Sequence, residues 1–131
     1  MIGLDTNVLV RYLTKDDSVQ TPFAVRMVRS LSPESPGFVS LVAIAELVWV
    51  LRISYRFRKA EILGVLEMLL QSQELIIEQA ELMEDALRRF AAGNAEFADF
   101  LIERSSHAVG CTHTVTFDHG AASSAGMRLL K

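Results

Sequence analysis

Four short apolar runs, set apart by longer segments with helical spacing, constrain the fold of this chain more than any other feature. They are residues 1–4, 38–39, 75–77 and 114–117. Runs of this length suit buried strands rather than helices, and Thr114-Val115-Thr116-Phe117 is β-branched and aromatic throughout. Between them lie helical stripes. Residues 59–72 place Ile62, Leu63, Leu66, Leu69 and Leu70 on one face, and residues 81–92 do so with Leu82, Met83, Ala86, Leu87 and Phe90. Asp5-Thr6-Asn7 offers N-cap chemistry for a helix over 8–13, Thr21-Pro22 suits the start of a helix reaching Leu31, and Ser40 can cap a helix over Leu41–Ile53. Gly93-Asn94 reads as a left-handed helix end, Gly110 stops a helix over 97–109, and residues 120–131 read as a tail. Strands alternating with helices predict an α/β fold with a mostly parallel sheet.

No linker, repeat or low-complexity tract interrupts the alternation, so residues 1–131 read as a single domain. At 131 residues and 50% hydrophobic content the chain can bury a core of ordinary size, whereas a disordered chain would be poorer in apolar residues. The single cysteine, Cys111, excludes an internal disulfide framework and a cysteine-rich zinc site, and reads as a small buried residue in a reducing compartment. Residues 1–5 show no basic region followed by an apolar run, so no signal peptide is expected. The most apolar stretch, residues 38–51, is broken by Glu46 and falls short of the roughly 18 apolar residues that would span a bilayer. The expected location is cytoplasmic, with no membrane partner.

The charge balance is 13 Lys and Arg against 16 Asp and Glu, a net −3, which gives no bulk electrostatic case for nucleic acid. Position says more than the total. Glu61, Glu67, Glu74, Glu78, Glu81, Glu84 and Asp85 fall on polar helix faces or at helix ends, where solvated carboxylates are ordinary. Glu46 instead lies inside Leu41–Leu51, a stretch apolar on every side and therefore expected to be a buried helix. A lone buried carboxylate is costly unless paired, protonated or bound to a cation. An internal salt bridge would satisfy it, and a site role fits better.

Asp5 and Asp118 each follow a strand, and open parallel sheets bind ligands outside the carboxyl ends of their strands. Their plain readings are a helix N-cap and a turn. Asp99 flanks the Phe97, Leu101 and Ile102 stripe, where a solvated helix face is the plain reading. Gathered at one site, such carboxylates repel each other and call for a cation. Oxygen donors without cysteine or a histidine pair suit Mg²⁺ or Mn²⁺, the ions of phosphodiester chemistry.

The ordered set of segments carries a family resemblance. Ile2-Gly3-Leu4-Asp5-Thr6-Asn7-Val8-Leu9-Val10, Gly37-Phe38-Val39-Ser40, Ala45-Glu46-Leu47-Val48-Trp49-Val50-Leu51, Phe97-Ala98-Asp99-Phe100-Leu101-Ile102 and Thr114-Val115-Thr116-Phe117-Asp118 together resemble a PIN domain, and within that group the VapC toxins of bacterial toxin–antitoxin pairs. The resemblance covers nearly the whole chain. It implies a three-layer α/β/α sandwich and a Mg²⁺- or Mn²⁺-dependent endoribonuclease. It also implies a homodimer held inactive by a small cognate antitoxin, and cleavage that leaves a 5′-phosphate and a 3′-hydroxyl. The family's acidic site maps onto Asp5, Glu46, Asp99 and Asp118, with Thr6 or Asn7 and Thr116 at nearby polar positions. Glu96 stands where relatives often carry Asp and reads as an auxiliary outer ligand. Phe100 is bulkier than the small residue common at its position and is expected to affect access to the site.

Arg52, Arg56, Arg58 and Lys59 form a basic cluster after the Glu46 helix. They read either as solvated helix ends or as contacts to RNA phosphate or to an acidic antitoxin tail. Trp49 reads as core or as dimer interface. His107, His113 and His119 lack the Gly-x-Ser-x-Gly or His-Glu-x-x-His context of a serine or zinc hydrolase. A receiver domain would carry paired acids after the first strand, and a dehalogenase-type phosphatase would carry Asp-x-Asp where this chain has Asp5-Thr6-Asn7. A non-catalytic PIN scaffold that binds a partner protein, or a PIN-like nuclease acting on DNA, are the alternatives of the same fold. With the four site carboxylates set aside, 12 acids remain against 13 bases. The acidity then belongs to a metal site on a nearly neutral body.

Overall fold

The structure is a computed structural model that describes all residues, Met1–Lys131. It contains two compact units, Met1–Glu78 and Gln79–Lys131. The first unit runs β1 (Ile2–Gly3), α1 (Thr6–Thr14), α2 (Gln20–Arg29), β2 (Gly37–Val39), α3 (Leu41–Ile53), α4 (Lys59–Gln71) and β3 (Leu75–Ile77). Its strands form a parallel sheet in the order β1-β2-β3, with Gly37 paired to Ile2 on one side and Leu75 on the other. Each connection returns through helices, as parallel pairing requires. A Cβ at Gly37 would come within 2.9 Å of a Leu31 methyl and 3.0 Å of a Leu4 methyl, so the sheet centre needs a residue without a side chain.

Local chemistry sets the ends of these helices. Asp5 accepts from Thr6 N at 2.8 Å at the start of α1, and Ser40 accepts from Ala43 N at 3.1 Å at the start of α3. Before α2, Asp17 Oδ1 accepts from Val19 N at 2.9 Å and Gln20 N at 2.6 Å. These two backbone hydrogen bonds hold the Asp17 pKa below its usual value. At α4, Glu61 accepts from Arg58 N at 2.9 Å, which makes Arg58 a helix start as well as a surface cation. Side-chain caps such as Ser40 contribute about 1 kcal/mol. Leu9, Val39, Ile44, Leu47, Leu51, Ile62 and Leu66 form the core of this unit.

The second unit runs α5 (Ala80–Ala92), α6 (Phe97–Ala108), β4 (Val115–Thr116), α7 (His119–Ser124) and β5 (Arg128–Leu129). α5 packs on α6, where Phe90 meets Phe97 edge to face at 5.6 Å and Phe100 at 6.2 Å. β4 and β5 pair in parallel, joined through α7. Asp85 on α5 takes hydrogen bonds from Arg88 (2.8 Å), Arg89 (3.1 Å) and Arg104 (3.3 Å). No helix in the chain is long and apolar enough to cross a membrane.

The α/β class with parallel strands agrees with the sequence reading, and several expectations need correction. First, α3 is not buried on every side: Val42, Trp49 and Ile53 are 79%, 62% and 51% exposed. Their spacing puts them on one outward stripe, so Trp49 is not core. Second, residues 120–131 are not a plain tail, since they contain α7 and β5. Third, Gly93 has an extended φ of −110° rather than a left-handed one. It is needed for space, because a Cβ there would fall 2.6 Å from both Phe100 Cζ and Ser124 Oγ. Fourth, Cys111 is exposed. The buried stripe of α6 is Phe97, Phe100 and Leu101, while Ile102 is exposed. Phe100 is therefore core, not a door to the site.

Candidate active site

Asp5 is carried to its place by the turn from β1 into α1, where its carboxylate both caps the helix and stays exposed. Glu46 lies in the middle of α3 and is also exposed, which overturns the expectation of a buried carboxylate. The reason is the one-sided packing of α3: Ala43, Ile44, Leu47, Val48 and Leu51 face the core and leave Glu46 on the other side. α1 and α3 pack together, and Asp5 and Glu46 line the same cleft, with a volume of about 570 Å³. Thr6 and Asn7 line it too, so both alternatives for the polar position reach the site. Thr6 is buried and Asn7 exposed.

The cleft also holds Arg11, Ser54 and Tyr55, which sequence reasoning missed. A signal was present for the first: Asn7 and Arg11 are four apart on one helix and share a face. Arg11 is a hub. Its Nε donates to Gln20 Oε1 at 2.8 Å, and its Nη1 donates to Tyr55 Oη at 3.1 Å and to Asp16 Oδ1 at 3.4 Å. Hydrogen bonding from Thr14, then from Tyr55, keeps the Asp16 pKa below its usual value.

The second unit carries the other two carboxylates. Asp99 is half-buried in the first turn of α6, where its Oδ2 accepts from Glu96 N at 3.2 Å. The Glu96 side chain in turn accepts from the backbone N–H of Asp99, a reciprocal capping box. Glu96 thus has a structural duty at the helix start. Asp118 caps α7 through Ala121 N at 2.7 Å, and its own N–H donates to Thr116 Oγ1 at 3.0 Å. Burial raises the Asp99 pKa, the bond from Glu96 lowers it in part, and the charge of Asp118 raises it further. That repulsion is the mark of two carboxylates near each other.

Arg56, Arg58, Arg52 and Lys59 are all exposed along the end of α3 and the start of α4. Arg56 has a left-handed φ of 55°. No group of three or more His, Cys, Asp and Glu side chains is gathered as a ready-made metal cage. Mg²⁺ does not demand one: it is commonly held by one or two carboxylates and keeps its remaining waters. A pair of hard oxygen donors in each unit, Asp5 with Glu46 and Asp99 with Asp118, fits that chemistry.

A family model described as PIN domain matches residues 2–126. No curated protein matches the chain.

Proposed function

The chain belongs to the PIN domain family, whose members are generally nucleases that use divalent metal ions, and from that premise we propose that it is a Mg²⁺- or Mn²⁺-dependent endoribonuclease. We further propose a role as the VapC-like toxin of a toxin–antitoxin pair. The seven helices and parallel strands are those of the family's three-layer α/β/α fold. The observation that carries the reading is the open cleft in which Asp5 and Glu46 stand among polar side chains. An open site whose two carboxylates offer oxygen donors is suited to a hard cation and to a phosphate that arrives from solvent.

Asp5 with Glu46 in the first unit, and Asp99 with Asp118 in the second, are the carboxylates that would hold metal. When bound, such an ion activates water and offsets charge on the scissile phosphate. Thr6, Asn7 and Thr116 supply hydrogen-bonding groups around these acids, and Glu96 orients Asp99 through the capping box. Arg52, Arg56, Arg58 and Lys59 would contact RNA or an acidic antitoxin. The exposed stripe Val42, Trp49 and Ile53 supports self-association as a homodimer.

The decisive experiment is end-mapping of cellular RNA after induced expression of the chain, beside an Asp5→Asn control. New 5′-phosphate ends that depend on Asp5, together with loss of cleavage in EDTA, are expected. Cleavage that survives chelation or Asp99→Asn would falsify the metal site. Cleavage of DNA with RNA left intact would move the substrate.

A further inference from the structure

We propose that the groove between α1 and α2 is a subsite for one unpaired nucleotide of the RNA, with Phe23 as the platform on which its base stacks. This rests on the ribonuclease reading above and adds the form of the substrate.

The groove has a volume of about 400 Å³ and is lined by Asn7, Val8, Arg11, Gln20, Phe23, Ala24 and Met27. Asn7 and Arg11 also line the acidic cleft, so the two depressions share a wall. A strand with its phosphate beside Asp5 and Glu46 would reach the groove across Asn7 and Arg11, the two residues that border both. Phe23 is 65% exposed, although it is a large apolar ring on a helix that has a core face available. The Arg26 guanidinium lies 5.0 Å from the ring centroid, a cation–π contact that steadies the ring. Arg26 sets a positive charge beside the ring, and α2 carries no acidic residue, which suits a phosphate close to Phe23. Gln20 Oε1 is engaged by Arg11 at 2.8 Å, which orients the amide and leaves its NH₂ as a donor at the groove.

An aromatic face accepts any base, because every base has a π-face. The base must first leave its own stack, so the site selects single strands and loops over duplex RNA. Phe23 here is a residue that touches substrate away from the reacting atoms. Its loss should weaken binding and spare the chemical step.

The test uses the full chain. Cleavage of a short single-stranded RNA by wild type, Phe23→Ala and Phe23→Trp is measured first. Phe23→Ala is expected to raise KM about tenfold while kcat changes by less than about twofold, with Phe23→Trp restoring KM. An unchanged KM overturns the proposal. The second readout is fluorescence of a single-stranded RNA oligonucleotide carrying 2-aminopurine. Saturable quenching by wild type that is lost in Phe23→Ala supports stacking, and equal quenching by both overturns it. Quenching needs no turnover, so a chain that quenches through Phe23 but cleaves nothing keeps the subsite and loses the ribonuclease reading. Cleavage with an unchanged KM does the reverse. If Phe23→Ala alters sedimentation mass while KM stays fixed, the groove is a protein-docking surface and the proposal is wrong.

Discussion

Arg11 donates a hydrogen bond to the hydroxyl of Tyr55 at 3.1 Å, tying α1 to the segment that follows α3 at the wall of the acidic cleft. The same guanidinium holds Gln20 at the start of α2 and Asp16 in the loop between α1 and α2. One side chain therefore sets the spacing of the elements that present Asp5 and Glu46.

Tyr55→Phe removes that bond without changing the ring. It is expected to cost about 1 kcal/mol in urea unfolding. In a double-mutant cycle with Arg11→Lys, which keeps the charge but loses the fork geometry, the coupling should exceed about 0.5 kcal/mol. Additive effects would show that the contact does not hold the cleft.

Asp5 has two duties that different substitutions separate. Asn is also a good N-cap, so Asp5→Asn should leave thermal stability nearly unchanged while cleavage falls by at least about a hundredfold, the loss of a charge that acts on the reaction. Asp5→Ala should lose the same activity and in addition about 1 kcal/mol of stability. Equal melting temperatures for the Asn and Ala variants would remove the capping role.

Burial alone would raise the Asp85 pKa, but the hydrogen bonds from Arg88, Arg89 and Arg104 outweigh it and the pKa lies below the usual value. A depressed folded pKa contributes stability that is present above the unfolded value of 3.8 and lost as pH falls through the folded one. Asp85→Asn is therefore expected to destabilise the chain at neutral pH by about 1 kcal/mol, after allowance for solvent screening. The gap between variant and wild type should close in acid. A difference in urea midpoint that persists unchanged to about pH 2.5 would contradict this account.

Trp49 projects from α3 beside Val42 and Ile53, an apolar stripe on an otherwise well-packed helix. If this stripe joins two copies, Trp49→Glu should convert a species of twice the 14.6 kDa chain mass into a monomer in sedimentation. Circular dichroism should stay the same, because the residue lies outside the core. A dimer that survives the substitution places the interface elsewhere.

Much of this molecule was legible from residue order. Helix α3 begins and ends where Ser40 and the apolar run predict, and β3 falls on Leu75–Ile77, because capping and periodicity are local properties. Asp5 and Glu46, picked out in the sequence after a strand and within an apolar helix, line one cleft, although Glu46 is exposed and not buried as expected. What sequence could not supply was direction. An apolar helix says nothing about which side will be covered, and Glu46 and Trp49 are exposed because the core facing α3 takes only Ala43, Ile44, Leu47, Val48 and Leu51. Gly93 looked like a special backbone angle and is instead a gap filled by Phe100 and Ser124.

Sequence alone determined the alternation of strands and helices through the first six helices and the acidic residues available for a metal, since each depends on a few neighbouring side chains. Tertiary packing decided the rest. It turned Glu46 outward and put Arg11 and Tyr55 in the cleft wall, because those outcomes depend on contacts between distant segments.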